Sequence, residues 1–156
     1  MPLPTSDAFE QFSRTLATSG LRDALRFLLE QTDYRFIGIF RFKDGMARAV
    51  VHYDREHPEQ LTTEAVPDTA TYCCYVRDSS GSFTTFDALQ DSRTADHPAR
   101  ESIRAYCGVP VITPEGELLG TLCHYDEVPR DPSQIDFELM LQVCALLARS
   151  GSVPAY

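Results

Sequence analysis

The chain has 156 residues, of which 43% are hydrophobic and 24% charged; this fits one globular domain and excludes a sensor joined to a separate output domain. The formal net charge of −9 at pH 7 argues against nucleic-acid and anionic-membrane binding, because both partners require a basic surface. No stretch approaches the roughly 20 apolar residues of a membrane span, and residues 1–7 lack the basic flank and apolar core of a signal peptide.

The first 30 residues have the hydrophobic spacing of two amphipathic helices. Phe9, Phe12 and Leu16 recur at helical intervals, and Ser19–Gly20 interrupts the pattern. Four leucines between residues 21 and 29 then share one face of a second helix, whose other face is charged. We expect this helix to end before Tyr34.

A β-hairpin is predicted next. Residues 36–42 are rich in β-branched and aromatic side chains, which favour a strand. Asp44–Gly45 is a two-residue turn signal, because a type I′ turn requires positive φ at both positions. Residues 46–53 form the expected partner strand, and residues 55–68, which are polar and contain two prolines, form a loop.

The middle of the chain is mixed in character. Residues 69–76 favour a short helix that ends in the Asp-Ser-Ser-Gly stretch at 78–81. A short strand is predicted over residues 82–86. Residues 87–102 are expected to be irregular, with one helical turn near residues 98–101.

A second hairpin and a helix are predicted at the end of the chain. Residues 103–113 and 118–125 form its strands, joined by a Pro-Glu-Gly turn. Ser133 is predicted to cap the last helix, with Asp136 as its capping partner. The apolar stripe of that helix consists of Ile135, Leu139, Val143, Leu146 and Leu147.

This order of elements predicts an α+β fold. Two hairpins imply a central antiparallel sheet, here of five to six strands, and amphipathic helices at both ends imply that they pack together on one face of it. Residues 55–102 must then cover the other face. A loop-rich cover over a sheet is a common place for a ligand pocket.

Several motifs occur in a recognisable order. The strand IRAYCGVPV at residues 103–111 is followed by PEGE, LGTLC at 119–123, VPR and a helix, and it is preceded by YCCYV at 72–76. FDA follows at 86–88 and DSR at 91–93. Together these motifs, in this order, resemble the GAF domain family over residues 20–150. The resemblance implies a PAS-like fold, with residues 1–156 forming a single GAF domain.

The family resemblance also implies a pocket on the sheet face opposite the terminal helices. GAF domains bind cyclic nucleotides, tetrapyrroles, haem or metabolites, and others serve as dimerisation modules. An Asp87–Arg93 ion pair is expected to hold the segment that covers the pocket. The candidate ligand-binding residues are Phe40, Tyr72, Cys73, Val76, Asp87, Arg93, His97, Tyr106, Thr121 and Cys123.

The sequence does not identify a cofactor. Bilin-binding GAF domains attach the chromophore to a cysteine that commonly lies beside a histidine on a helix, whereas Cys123, the one cysteine followed by histidine, lies on a predicted strand. A haem would need an axial histidine, for which His97 and His124 are the candidates. The NKxxFxxxDE signature of the cyclic-nucleotide subgroup is absent, and no metal-binding spacing is present.

The five cysteines give information on the redox state of the cellular compartment and on a possible thiol-dependent enzyme activity. They are odd in number and contain no CxxC motif, which fits a reduced, cytoplasmic protein. Of the adjacent pair Cys73–Cys74, at most one faces the pocket, and Cys107 and Cys123 are possible neighbours on paired strands. A GAF branch that reduces free methionine sulfoxide carries a cysteine just before the strand at 103, but residues 99–103 have none.

Three hypotheses follow from these observations. The first is a free-standing sensory or regulatory GAF domain that binds an unidentified small molecule and signals through a separate protein. The second is a ligand-free homodimerisation or protein-interaction module that uses the helices near residues 8–30 and 133–149, in a two-fold arrangement. The third is a thiol-dependent methionine sulfoxide reductase.

Overall fold

The computed structural model describes residues 2–156. Within this range the chain forms four α-helices and six β-strands in one sheet. In chain order they are α1 (Thr5–Ser19), α2 (Leu21–Glu30), β1 (Phe36–Lys43), β2 (Met46–Asp54), β3 (Val66–Pro67), α3 (Cys73–Ser79), β4 (Phe83–Thr85), β5 (Ala105–Ile112), β6 (Leu118–Asp126) and α4 (Phe137–Ser150). No helix formed by residues 2–156 is both long enough and apolar enough to cross a membrane.

The sheet is antiparallel throughout, as predicted. Its strand order is β3-β2-β1-β6-β5-β4, so the two hairpins lie side by side at its centre. Asp44 and Gly45 both have positive φ, 52° and 78°, which is the requirement that made this pair a turn signal. The β5–β6 turn contains Gly116 at φ 89°, a value that strongly favours glycine.

Gly20 separates the first two helices. Its φ of 97° is disfavoured for residues with a side chain, so the chain leaves α1 and enters α2 at this position. Phe12 of α1 and Leu25 and Leu28 of α2 are fully buried. The helical spacing in the sequence therefore predicted both helices and the faces that they bury.

The two faces of the sheet pack against different layers. Ile37 and Ile39 of β1 and Leu122 of β6 point towards α1, α2 and α4, and together with side chains from these helices they form the main hydrophobic core. Alternate positions, such as Tyr106 and Cys123, point towards α3 and form a smaller cluster with it. This arrangement confirms the predicted fold, with the terminal helices on one face and the mixed segment on the other.

The start of the last helix differs from the prediction. Asp136, not Ser133, is the N-cap of α4, and its Oδ1 accepts a hydrogen bond of 3.0 Å from the Leu139 amide. Ser133 lies in a 3₁₀ turn over residues 132–134 that Asp131 caps. A carboxylate is the better cap because it also interacts favourably with the positive end of the helix dipole.

The middle segment is more ordered than its sequence predicts. Val66–Pro67, placed in a loop by the prediction, pairs with β2 as a two-residue edge strand. Residues 88–90 and 92–94 form 3₁₀ turns, each capped by the aspartate that precedes it. The expected helical turn near residues 98–101 is present and is closed by a 2.8 Å hydrogen bond from the Ile103 amide to the Ala99 carbonyl oxygen.

Candidate ligand-binding pocket

A cavity of about 250 Å³ lies on the face of the sheet opposite α1, α2 and α4. The sheet forms one side of it, and α3 with the segments before and after α3 forms the other. Aromatic and aliphatic side chains make up most of the surface. The lining residues are Phe40, Thr63, Glu64, Val66, Ala70, Thr71, Tyr72, Cys73, Ala99, Ile103, Tyr106, Cys123 and Tyr125.

Strand register brings the sheet residues of the pocket together. β1 and β6 pair so that Phe40 lies opposite Thr121, and β5 and β6 pair so that Tyr106 lies opposite Tyr125. Gly108 follows Tyr106 on the same face, and the Tyr106 ring lies over it. A Cβ at Gly108 would come within 2.6 Å of Tyr106 Cε1, so glycine is what allows this ring position.

The start of α3 supplies the opposite side of the pocket. The Tyr72 hydroxyl donates a 2.8 Å hydrogen bond to the Ile103 carbonyl oxygen, which ties α3 to the start of β5. Burial raises the pKa of Tyr72 to about 12, so the phenol remains a neutral donor. Cys73 lines the cavity and Cys74 does not, as expected for adjacent residues that point about 100° apart on a helix.

Two thiols and a phenol meet at the base of the pocket. The Tyr106 hydroxyl donates to Cys73 Sγ at 3.2 Å, and Cys73 and Cys123 lie in the same buried cluster and line the same cavity. Burial acts to raise the pKa of Cys73, but the neighbouring Cys123, Tyr106 and Thr71 side chains bring it below its ordinary value. Burial and the neighbouring Cys73 raise the pKa of Cys123 well above its ordinary value.

The pocket carries almost no charge. Glu64 is exposed and is the one carboxylate among the described lining residues, which include no lysine, arginine or histidine. Thr63 Oγ1 is buried and has no hydrogen-bond partner within residues 2–156. The site therefore favours a neutral or cationic ligand with a polar group for Thr63, and disfavours a highly charged anion.

Half of the predicted ligand-binding residues line the cavity and half do not. The lining residues among them are Phe40, Tyr72, Cys73, Tyr106 and Cys123. The remaining five are Val76, Asp87, Arg93, His97 and Thr121. Each of these five occupies a different position in the structure for an identifiable reason.

Val76 and Thr121 lie close to the pocket but outside its lining. Val76 is fully buried in the small cluster between α3 and the sheet, because it is one turn further along α3 than Cys73. Thr121 points to the same face as Cys123 but is fully buried, and its hydroxyl has no partner within the described residues. Both residues are therefore buried next to the pocket without lining it.

The predicted Asp87–Arg93 ion pair is wrong. Asp87 binds Arg104 through two hydrogen bonds of 2.7 and 2.8 Å, and these bonds hold the pKa of Asp87 below its ordinary value. Arg93 instead pairs with Asp91 at 2.6 Å and stacks over the Phe83 ring. The first pair fastens the covering segment to β5, which is the role that the prediction had assigned to different partners.

Neither candidate haem ligand faces the cavity. His97 Nε2 donates to the Thr71 carbonyl oxygen at 3.1 Å, and its Nδ1 accepts from the Ala99 amide at 3.0 Å, so both ring nitrogens are occupied. Burial lowers the pKa of His97, which keeps the ring neutral. His124 is buried beside Tyr34 on the helix side of the sheet. These positions do not fit an axial ligand in this pocket.

Cys107 and Cys123 lie on paired strands, as predicted, but their side chains point to opposite faces of the sheet. The β5–β6 register places Gly108, not Cys107, opposite Cys123. Cys107 consequently points into the main core with the helices, on the other face of the sheet. Among residues 2–156 no group of three or more histidine, cysteine, aspartate and glutamate side chains could hold a metal ion.

Sequence reasoning missed eight lining residues. Tyr125 could have been found, because strand alternation places it on the same face as Cys123. The segment from Thr63 to Thr71 belongs to the stretch that was predicted to cover the sheet, but it has no periodicity, so the sequence did not indicate which of its side chains enter the pocket. Ala99 and Ile103 enter the pocket through the turn between them, which the sequence placed only approximately.

Comparison with solved structures gives the same architecture. The GAF domain of an Acinetobacter phosphoenolpyruvate-protein phosphotransferase matches with a TM-score of 0.75 at 14% identity, covering 98% of this chain and 94% of that one. The phycoerythrobilin-bound GAF domain of a cyanobacterial phytochrome matches with a TM-score of 0.71 at 14% identity, over 97% and 96% of the two chains. Free methionine-R-sulfoxide reductase from Neisseria meningitidis, solved with its substrate, matches with a TM-score of 0.65 at 16% identity, over 94% and 91%. At these identities the likeness shows the fold alone.

Sequence comparison adds a relative and a family. A cyclic di-GMP phosphodiesterase of Pseudomonas aeruginosa is 37% identical over 75 residues, which is 46% of this chain and 13% of that protein. The match thus spans a small part of the relative's length. The GAF domain family matches residues 18–150, most of the chain. The chain therefore belongs to the GAF domain family.

Proposed function

We propose that this GAF domain is a non-catalytic sensory or regulatory module that binds a small molecule in the pocket and signals through a separate partner protein. The observation that carries the proposal is the cavity of about 250 Å³, which remains open between two otherwise packed layers. A domain that needed only stability would gain by filling this space with side chains.

The size and chemistry of the pocket define the ligand class. The cavity exceeds the roughly 150 Å³ of an engineered cavity that binds benzene. It lies just below the roughly 300 Å³ at which typical ligand sites begin. The rings of Phe40, Tyr72 and Tyr106 suit an apolar or aromatic body, and Thr63 Oγ1 can bond one polar group. We infer a compact, uncharged or cationic metabolite.

Strand β6 could transmit a structural change from the pocket to the helices. On β6, Cys123 contacts the pocket while its neighbour Leu122 packs in the core beneath α1, α2 and α4. A ligand that shifts β6 must also shift Leu122, since close-packed interiors transmit small displacements. The partner would sense this at the helical surface. The five free cysteines support our further proposal of a reducing, cytoplasmic compartment.

Native mass spectrometry of the full chain purified from cells tests the proposal. We expect a mass above that of the polypeptide, which returns to the polypeptide mass under denaturing conditions. Ala70→Trp should fill the cavity and abolish the added mass, since Ala70 lines it. The control Ala95→Trp changes an exposed residue outside the lining and should retain the added mass. A wild-type protein without a bound molecule would contradict the proposal.

The alternative, a homodimerisation module, is favoured by one observation. On α4, Phe137 and Leu141 are 38% and 62% exposed, and they lie beside a shallow groove that includes Pro110 and Ile112. Analytical ultracentrifugation of the wild type and of Leu141→Glu separates the two functions. A dimer that Leu141→Glu converts to a monomer, in protein that carries no bound molecule, would support the alternative.

A further inference from the structure

The Cys73–Cys123 pair at the base of the pocket has a chemistry that ligand sensing does not use. The two residues come from α3 and β6, and both thiols line the cavity while being almost fully buried by protein. They pack in the same small cluster as Tyr106, whose hydroxyl donates to Cys73 Sγ at 3.2 Å. A small molecule that reaches the base of the cavity therefore lies next to both cysteines and to the phenol that donates to one of them.

The two sulfur atoms are not equivalent. The Tyr106 hydroxyl donates to Cys73 Sγ, and the polar side chains around this sulfur lower the pKa of Cys73 against the opposing effect of burial. Cys123 is held as the thiol by burial and by the adjacent Cys73. A thiol that accepts a hydrogen bond from a donor and packs beside a second thiol is the arrangement that two-step thiol oxidation requires.

We propose that Cys73 is a hydroperoxide-reactive thiol and that Cys123 resolves it, so that oxidation forms a reversible disulfide between α3 and β6 at the base of the pocket. The Cys73 thiolate attacks the terminal oxygen of a small hydroperoxide. The S–O bond forms, the O–O bond breaks, and the alkoxide leaves as an alcohol after taking a proton from solvent by way of the Tyr106 hydroxyl.

The second step joins the two cysteines. The Cys123 sulfur attacks Cys73 sulfenic acid, the S–S bond forms, the S–O bond breaks, and the oxygen leaves as water with the Cys123 proton. In total, two thiols are oxidised by two electrons while one hydroperoxide is reduced to an alcohol and water. The disulfide joins α3 to β6 covalently and leaves the Tyr106 hydroxyl a weaker sulfur acceptor, so we expect it to change the shape of the pocket.

The other three cysteines provide built-in controls. Cys74 is adjacent to Cys73 but does not line the cavity, and burial raises its pKa. Cys107 and Cys144 lie in the main core on the other side of the sheet, and burial raises their pKa values to about 11 and about 12. These three thiols should react slowly with hydroperoxide.

The experiment treats the reduced full chain with one equivalent of tert-butyl hydroperoxide, followed by intact mass analysis and peptide mapping without reductant. We expect the loss of two hydrogens per chain, a single Cys73–Cys123 cross-linked peptide, and reversal by dithiothreitol. Disulfides that map to any other pair, or oxidation confined to Cys74, would overturn the proposal. So would a chain that remains fully reduced after the incubation.

Variants separate the two roles. Cys123→Ser should stop the reaction at Cys73 sulfenic acid, which dimedone traps, whereas Cys73→Ser should abolish the fast reaction. Tyr106→Phe should slow it by about tenfold, the effect of losing one hydrogen bond to the reacting sulfur. Cys107→Ser is the matched control and should react like the wild type. Because the wild-type peptide map needs no variant, it decides the proposal even where a substitution prevents folding.

Discussion

The two faces of the β-sheet differ in what fills the space above them. On the helix side, α1, α2 and α4 close over a cluster of twenty-one buried hydrophobic residues, most of them aliphatic. On the α3 side, the described residues include a cluster of seven, in which tyrosines and cysteines replace leucines and isoleucines. The cavity of about 250 Å³ lies on this second side.

This difference indicates a division between stability and binding. Aliphatic side chains fill space densely and supply most of the hydrophobic free energy. Tyrosine and cysteine provide donors, acceptors and polarisable surface at the cost of poorer packing. The secondary structure follows the same division, because β3, β4 and α3 are the shortest elements of their kinds.

The largest expected effect is a difference in unfolding free energy between variants of two neighbouring β1 residues that point to opposite faces. Ile39 is fully buried against the helices, whereas Phe40 is half-buried and lines the cavity. We expect Ile39→Ala to lower the free energy of unfolding by about 3–4 kcal/mol, as for other fully buried aliphatic residues. Phe40→Ala should cost about 1–2 kcal/mol, because its ring already faces an empty space. Urea denaturation measures both.

Equal losses for these two variants would contradict the proposed division. The comparison can be sharpened by native mass spectrometry of the same proteins, where Phe40→Ala should lose the bound molecule. Ile39→Ala should keep it wherever the protein remains folded.

The next effect concerns pH and a polar residue on the pocket side. His52 is buried, its Nε2 shares a 2.6 Å hydrogen bond with the Tyr125 hydroxyl, and burial lowers its pKa to about 4. In the unfolded chain its pKa returns to about 6.5, so between these values the unfolded state binds more protons. Stability must therefore decrease as the pH falls through this window, by about 2 kcal/mol between pH 7 and pH 5 for His52.

The measurement is urea denaturation at both pH values for the wild type and for His52→Gln. Glutamine keeps a group that can bond Tyr125 but does not titrate in this range. The variant should lose less stability than the wild type when the pH is lowered. An identical pH dependence in the two proteins would show that His52 is not buried in its neutral form.

The smallest effects concern the ion pairs of the covering segment. Asp87→Asn removes the carboxylate from a largely buried bidentate pair with Arg104 and should cost about 1 kcal/mol of unfolding free energy. Asp91→Asn is the matched control, since its partner Arg93 is 55% exposed, and should cost about 0.5 kcal/mol or less. Chemical denaturation that ranks Asp91 above Asp87 would refute this assignment.

Local sequence signals predicted most of the fold. The Asp44–Gly45 turn, the break at Gly20 and the strands β1, β5 and β6 each depend on nearby residues, and the structure confirms all three. The N-cap of α4 was misplaced by three residues because Ser133 and Asp136 are both good capping residues. Which one caps the helix depends on the preceding 3₁₀ turn.

The candidate pocket was only half predictable. Strand residues such as Tyr106 and Cys123 follow from motif position and two-residue alternation. Thr63, Ala70 and the Asp87–Arg104 pair depend on how irregular segments cross the sheet, which is decided by contacts between residues far apart in sequence. No periodic pattern indicates such a path. The incorrect Asp87–Arg93 pair followed from family motif positions, which do not specify which arginine reaches Asp87.

Amide hydrogen exchange tests the division between the faces most directly. The protein as purified from cells would be compared with protein stripped of any bound molecule by unfolding and refolding. The account predicts faster exchange in residues 61–76 after stripping, with unchanged protection in α1, α2 and α4. Uniform exchange across both faces, or a change confined to α4, would contradict it.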